Sequence, residues 1–274
     1  MKISVVVPTY NRRERLKRAL LSIFAQTSLP AEVTVIDDGS TDETGAMIRK
    51  EFPLVNYCYQ ENSGVSAARN LGIQQSTGDW LAFLDSDDEW LPEKLANQKA
   101  LLTANPDHKI CHTEESWIRN GIRVNAAKKY AKTGGWIFKH CLPLCAISPS
   151  TVMIHRSVFD DIGLFDVDLP ACEDYDLWLR ITASYPVLLI EEPQIHKHGG
   201  HEDQLSGLHW GMDRFRINAL QKIIDTGQLS AENQQAAVTM LLKKAAIYLN
   251  GVTKRGKTDE ASYYQQLIKQ YDFS

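Results

Sequence analysis

The chain of 274 residues has little cysteine and none of the pairings that would give cysteine a structural task. Cys58, Cys111, Cys141, Cys145 and Cys172 are odd in number and show no paired C-x-x-C spacing, so neither a disulfide framework nor a zinc site is indicated, and a reducing compartment fits. A basic excess is also missing. Lys and Arg total 30 against 34 Asp and Glu, a formal net charge of -4, which argues against nucleic acid as the main partner because duplex binders carry a positive field. No apolar run approaches the length that spans a bilayer, and the N-terminus enters a strand pattern without a charged-then-apolar leader. The expectation is a cytoplasmic protein that meets a membrane, at its inner face, at most from the side. Internal repeats and low-complexity segments are absent as well.

What the chain does have is alternation. Ile3-Ser4-Val5-Val6-Val7 is β-branched and predicts a central strand ended by Pro8. Thr9-Tyr10-Asn11 then forms a loop, with Asn11 as cap of a helix from Arg12 to about Gln26 whose Leu16, Leu20, Ile23 and Phe24 share one face. Val33–Ile36 is a second strand ending on Asp37 and Asp38; Ser40 or Thr41 caps a helix over 42–52, and 55–59 is a third strand. Small residues open the next helix at Gly64-Val65-Ser66-Ala67-Ala68-Arg69-Asn70. Strands and helices with short connections through residue 104 predict a parallel βαβ sheet. None of the turns in this half is G-x-G-x-x-G or a Walker loop, so a nucleotide here is held by side chains and a metal more than by a glycine cradle.

The most informative stretch is Gly78-Asp79-Trp80-Leu81-Ala82-Phe83-Leu84-Asp85-Ser86-Asp87-Asp88. Its apolar run has the length of a strand buried on both faces, and Asp85, Asp87 and Asp88 follow where that strand leaves the sheet. Open α/β sheets bind ligands at that edge. Three adjacent carboxylates repel one another unless a cation is present, and oxygen donors suit Mg²⁺ or Mn²⁺, shared with a phosphate. The competing reading is a solvated turn that caps the helix starting near Leu91-Pro92-Glu93.

Beyond residue 104 the pattern loosens. Strands are expected near 110–113, 117–123 and 151–154, as an antiparallel edge covering one side of the site, and at 186–190. A loop with three histidines then runs from Ile195 to Ser206. A helix opens at Glu173-Asp174, and helices near 207–226, 231–250 and 259–271 form a tail whose Val238, Leu241, Leu242, Ala245 and Leu249 supply packing surface.

Taken together, Val-Val-Pro-Thr-Tyr-Asn-Arg at 6–12, Asp-Asp-Gly-Ser-Thr-Asp at 37–42, Gly-Val-Ser-Ala-Ala-Arg-Asn at 64–70, Phe-Leu-Asp-Ser-Asp-Asp at 83–88 and Glu-Asp-Tyr-Asp-Leu-Trp-Leu-Arg at 173–180 resemble the family 2 glycosyltransferases of the GT-A fold. The resemblance implies a Rossmann-like α/β domain over 1–206, with a mixed, mostly parallel sheet flanked by helices. Residues 1–104 would be its nucleotide-binding half and 105–206 its acceptor and catalytic half, followed by a helical extension over 207–274. It implies inverting transfer of a sugar from a nucleotide sugar, usually UDP-linked, to an acceptor hydroxyl that a saccharide, a lipid carrier or a protein provides, as in surface polysaccharide or glycoconjugate synthesis. Carried over position by position, Pro8, Thr9 and Tyr10 line the base pocket, Asp38 accepts from base or ribose, and Arg69 faces the nucleotide or its phosphates. Asp85 faces ribose or metal-bound water, and Asp87 binds the Mn²⁺ or Mg²⁺. Asp174 is the base, with Glu173 contacting a sugar beside it. A histidine after the last strand often adds a metal or phosphate contact in similar enzymes; His201, with Glu202 and Asp203 to orient it, is preferred over His198, against the reading of a plain polar loop. Lys243, Lys244, Lys254, Arg255 and Lys257 form either a charged solvent face or a dock for a partner subunit or an anionic membrane. The rival classes are a non-catalytic sugar-nucleotide binding module and a nucleotidyltransferase. The second normally carries a Gly-rich basic loop where this chain has Pro8-Thr9-Tyr10-Asn11.

Overall fold

A computed structural model describes residues 1–200 and 209–272. In chain order the elements are β1 (Ile3–Thr9), α1 (Arg13–Phe24), β2 (Glu32–Asp37), α2 (Thr44–Glu51), β3 (Asn56–Tyr59), α3 (Val65–Gln75), β4 (Trp80–Phe83), β5 (Glu89–Trp90), α4 (Lys94–Ala104), β6 (Ile110–Arg119) and β7 (Ile122–Val124). They continue with α5 (Phe138–Cys141), β8 (Met153–His155), α6 (Ser157–Ile162), α7 (Glu173–Ser184), β9 (Leu188–Gly199), α8 (Asp213–Asp225), α9 (Ala231–Lys254) and α10 (Thr258–Tyr271). The described residues make a nine-stranded sheet in the order β3-β2-β1-β4-β8-β6-β9-β5, with β7 paired to β6. Strands β3, β2, β1 and β4 are parallel. β8 runs against both β4 and β6, and β9 lies parallel to β6.

Every residue of β1 is buried because both faces of the sheet are covered. Strand alternation sends Ile3, Val5 and Val7 into a core with Leu16, Leu20 and Ile23 of α1, and Val6 into a second core with Ile73, Phe83 and Trp178. A Cβ on Gly72 would sit 2.2 Å from Val6 Cγ1, so α3 lies this close to β1 only because that position has no side chain. The second core runs on without a break into Ile217, Leu220, Leu241 and Ala245 of the tail.

Four expectations change. Segments 110–119 and 153–155 are interior strands of the sheet rather than an antiparallel edge, and the expected strand over 117–123 is split by Asn120-Gly121, both at positive φ, the turn that joins β6 to β7. The histidine-bearing segment is not a loop up to Gly199: it continues β9, because Ile195 packs in the core while β5 and β6 pair with it on either side. Asn11 does not cap α1. It adopts φ 50°, and its Oδ1 accepts from Thr41 N (2.8 Å), while Asp42 accepts from Arg13 N (2.9 Å). Neither Ser40 nor Thr41 caps α2, which begins at Thr44.

Lys94, at the start of α4, is fully buried over the Trp90 ring (Nζ 3.9 Å from the centroid) and has no hydrogen-bond partner among the described residues. Burial lowers its pKa to about 7. The unfolded chain keeps that proton up to its ordinary value, so stability rises with pH between the two values. Lys94→Met is therefore expected to stabilise the fold by on the order of 4 kcal/mol near pH 7, and by progressively less toward about pH 10, at about 1.4 kcal/mol per pH unit. Urea unfolding of both proteins across that range measures it, and a gain independent of pH contradicts a neutral Lys94.

Candidate active site

Strands β1, β2, β4, β6 and β9 point the same way, and their carboxyl ends form one edge. β1 brings Pro8, Thr9 and Tyr10 to that edge, β2 brings Asp37 and Asp38, and the turn after β4 brings Asp85 to Asp88. Two adjoining cavities open there. The first, about 520 Å³, is walled by Pro8, Thr9, Tyr10, Asp38, Asn62 and Gly64. The second, about 270 Å³, holds Arg69, Asp85, Asp87, Glu173 and Asp174, with Arg216 from α8. Pro8, Arg12, Val65 and Ser86 belong to both walls.

Asp38 is 4% exposed, and its carboxylate accepts from Gln60 Nε2 (2.6 Å), Ser63 N (2.8 Å) and Gly64 N (2.9 Å). It therefore braces the loop that leads into α3. Tyr10 stands half exposed on the rim. Across the second cavity Arg69 donates from Nη1 to Glu173 Oε1 (2.6 Å) and from Nη2 to Asp85 Oδ1 (2.7 Å), with Phe165 under the guanidinium. Burial opposes the arginine's charge, but Asp85 and Glu173 outweigh it and raise its pKa above the ordinary value. Glu173 is itself buried; burial and the neighbouring Asp174 push its pKa up against the pull of Arg69.

Of the three acids after β4, Asp87 faces the cavity and pairs with Arg12 (3.1 Å). Asp88 turns inward, accepting from Ser150 Oγ (2.6 Å) and His198 N (3.0 Å). Burial, then repulsion from Asp87 and Asp85, pushes its pKa well up. The hard oxygens of Asp85 and Asp87 fit Mn²⁺ or Mg²⁺ drawing its other ligands from phosphate and water, as such ions do where a protein offers one or two carboxylates. Among the described residues no three or more His, Cys, Asp and Glu side chains form a metal cage. His198 Nε2 lies 2.7 Å from Glu89 Oε1, and burial and Arg18 lower its pKa. His201, Glu202 and Asp203 lie outside the described residues.

Asp174 belongs to the first turn of α7, which follows Cys172 in the left-handed region (φ 63°) and carries three acids where the helix dipole favours them. Its Oδ1 accepts from Tyr175 N (2.7 Å) and its Oδ2 from the Cys145 thiol (3.1 Å). Burial and Asp174 push that thiol's pKa well up, so the sulfur keeps its proton and donates. Asp176, two residues on, pairs instead with Arg180 and Lys222.

The structure thus unites Arg69, Asp85, Asp87, Glu173 and Asp174 around one cavity and Pro8, Thr9, Tyr10 and Asp38 around the next. Sequence reasoning missed Arg12, Cys145, Lys197 and Arg216. Arg12 closes a motif already singled out; the others sit in unremarkable strand, loop and helix contexts. Lys244, grouped with an exposed basic face, is buried and bonded to Asp213 and to Pro143 O. Gly251-Val252-Thr253-Lys254-Arg255-Gly256-Lys257-Thr258 has Walker spacing, but it joins two helices and follows no strand, so it forms no phosphate cradle.

Comparison with known proteins agrees with this geometry. The family model described as glycosyl transferase family 2 matches residues 4–163. A glycosyltransferase of Rickettsia felis is 33% identical over 66% of this chain, which spans only 30% of that protein. Bacillus subtilis YwdF, also described as a glycosyltransferase, is 33% identical over 68% of this chain and 70% of its own length. An Escherichia coli protein, WfaP, named UDP-Glc:alpha-D-GlcNAc-diphosphoundecaprenol beta-1,3-glucosyltransferase, is 28% identical over 66% of this chain and 70% of its own. Among solved structures, S. aureus TarS 1-349 in complex with UDP-GlcNAc superposes with a TM-score of 0.68 at 18% identity, covering 98% of this chain and 92% of that one. The mannosyltransferase PcManGT of Pyrobaculum calidifontis, in complex with GDP-Man and Mn²⁺, gives 0.59 at 19% identity over 98% of this chain and 84% of that one. By sequence and by architecture, the chain belongs to glycosyl transferase family 2 and has the GT-A fold.

Proposed function

We propose that the chain transfers a sugar from a UDP-linked donor to an acceptor hydroxyl, with inversion and with Mn²⁺ or Mg²⁺. The observation that carries this reading is that Asp85, Asp87 and Asp174 line one cavity, which opens beside a larger one walled by Pro8, Thr9 and Tyr10. The larger cavity suits a base and ribose; the acid-lined one suits a diphosphate and its sugar. A divalent cation bound by Asp87 and Asp85 would neutralise the charge that develops on the departing diphosphate. Asp174 takes the acceptor proton as that oxygen bonds to the anomeric carbon, and the bond from this carbon to the diphosphate oxygen breaks with its electron pair. Attack from the face opposite the leaving group inverts the centre in one displacement, without a glycosyl-enzyme intermediate. Arg69 holds Asp85 and Glu173 in register, so the donor side and the base side keep a fixed separation.

The UDP and GlcNAc-diphosphoundecaprenol in the WfaP name and the UDP-GlcNAc bound by TarS support a uridine donor and an acceptor of polysaccharide or glycoconjugate synthesis; the Mn²⁺ bound by PcManGT supports the cation.

Asp174→Asn is expected to lower kcat by about 10²–10⁴-fold, the usual worth of a general base, with UDP affinity unchanged. Release of UDP from a panel of UDP-sugars with Mn²⁺ and acceptor, together with calorimetry, measures both. A wild-type chain that binds UDP-sugars yet releases no UDP is a binding module, and the proposal fails. Asp87→Ala is expected to reduce UDP affinity in Mn²⁺ to the level the wild type shows in EDTA; an unchanged affinity removes Asp87 from the metal set.

A further inference from the structure

A third cavity, about 260 Å³, shares Cys145, Lys197 and His198 with the acid-lined one. The Cys145 thiol that bonds to Asp174 therefore belongs to the wall between them. The chemistry on its far side is different. Trp117 and Tyr130 lie with ring centroids 5.0 Å apart at 45°. The Arg119 guanidinium carbon is 5.6 Å and Lys197 Nζ 5.8 Å from the Trp117 centroid. The lining carries Arg119, Lys132 and Lys197 against a single carboxylate, Glu115. That carboxylate is already engaged: Oε1 accepts from Trp117 Nε1 (2.8 Å), and Oε2 lies 3.2 Å from Lys132 Nζ. Burial works to raise its pKa, but Lys132 and Lys197 prevail and hold it at about 2, so Glu115 offsets no more than one cation at working pH. Arg119 is exposed and, among the described residues, has no carboxylate partner.

Aromatic faces pack against the C–H faces of pyranose rings, and a surplus of guanidinium and ammonium groups selects an anion. We propose that this cavity is the acceptor subsite and takes a saccharide bearing an acidic group, a phosphate or a carboxylate, with its ring on Trp117 and its anion toward Arg119 and Lys197. The proposal rests on the glycosyltransferase reading and names its second substrate class. With its acidic group held by Arg119 and Lys197 beyond Cys145, such an acceptor has a hydroxyl of the same ring left to meet Asp174.

Calorimetry on the full chain tests this. UDP is titrated first with Mn²⁺; absence of binding there overturns the donor reading. N-acetylglucosamine 1-phosphate, glucuronic acid and N-acetylglucosamine are then titrated into the UDP-loaded protein. At least one acidic sugar is expected to bind about tenfold more tightly than the neutral one, what a single charge-assisted hydrogen bond supplies, and the stronger of the two identifies phosphate or carboxylate as the anion. Arg119→Glu should abolish the preference and Trp117→Ala should weaken all three sugars, with UDP affinity measured in each variant as the control for folding. Intact UDP binding with equal affinity for all three sugars, or a preference that survives Arg119→Glu, overturns the subsite and leaves the donor reading standing.

Discussion

One buried cation holds the site together. Arg69 is 3% exposed and reaches Asp85 and Glu173 at once. These acids are 16 and 104 residues away in sequence, one on the turn after β4 and the other on the first turn of α7. Removing one partner from a buried ion pair leaves an uncompensated charge and costs about 3–5 kcal/mol. Through Arg69 each carboxylate is tied to the other, so the acid turn and the start of α7 are held in one arrangement. The small residues of α3 matter for the same reason, because Gly72 lets the helix that carries Arg69 lie against β1.

Around that link the acids fall into two groups that their motifs do not distinguish. Asp37, Asp38, Asp42, Asp88 and Asp176 spend their oxygens on N–H groups, hydroxyls or cations: Ser40 N and Tyr57 OH for Asp37, Arg13 N for Asp42, Ser150 and His198 N for Asp88, Arg180 and Lys222 for Asp176. Loops at the edge of a sheet carry unpaired N–H groups, and carboxylates are the strongest acceptors for them. Asp85, Asp87 and Asp174 line the acid-lined cavity and are bonded as well: Asp85 to Arg69, Asp87 to Arg12, and Asp174 to Tyr175 N and the Cys145 thiol. The acids of these motifs thus divide by position: Asp37, Asp42 and Asp176 lie outside both cavity walls, whereas Asp38, Asp85, Asp87, Asp88 and Asp174 line one of them while bracing the fold.

That division also explains what the sequence made legible. Through residue 104, β1, β2 and β4 are short, buried apolar runs set between helices, so the pattern predicts the parallel half, and Leu81 to Leu84 are fully buried as their apolarity requires; β5, two residues long, is too short to leave a pattern. After residue 104 the sheet becomes mixed. In β9, Leu188 to Ile190 fall in the expected apolar strand, but beyond buried Ile195 come Lys197 and His198, which line the cavities, so the second half of the strand is too polar to announce itself. Asn11 does not cap its helix because its Oδ1 accepts from Thr41 N of the neighbouring loop, while Asp42 accepts from Arg13 N as well as from Thr44 in its own segment; the cross-loop bonds join distant segments that no local pattern encodes. Arg216 was invisible for a related reason: on an amphipathic helix, one more arginine looks like solvent-facing charge.

Its placement bears on how the tail relates to the chemistry. Asp213, at the start of α8, binds Arg216 (2.9 Å) and the buried Lys244 of α9 (3.0 Å), and Lys244 also reaches Pro143 O (2.9 Å). Lys222, two turns along α8, binds Asp176 of α7 (3.0 Å). α8 is therefore clamped at one end to α9 and along its length to the helix that carries Asp174, over a core that Ile217 and Leu220 share with Trp178. Asp213 has its pKa lowered, with its ties to Arg216 and Lys244 overcoming burial, and Arg216 has its raised, so the Asp213–Arg216 pair is ionic at neutral pH. A helix held in this way fixes the distance from a cation, Arg216, to the cavity where a diphosphate's charge would develop. The C-terminal helices thus belong to the electrostatics of the site as well as to its packing.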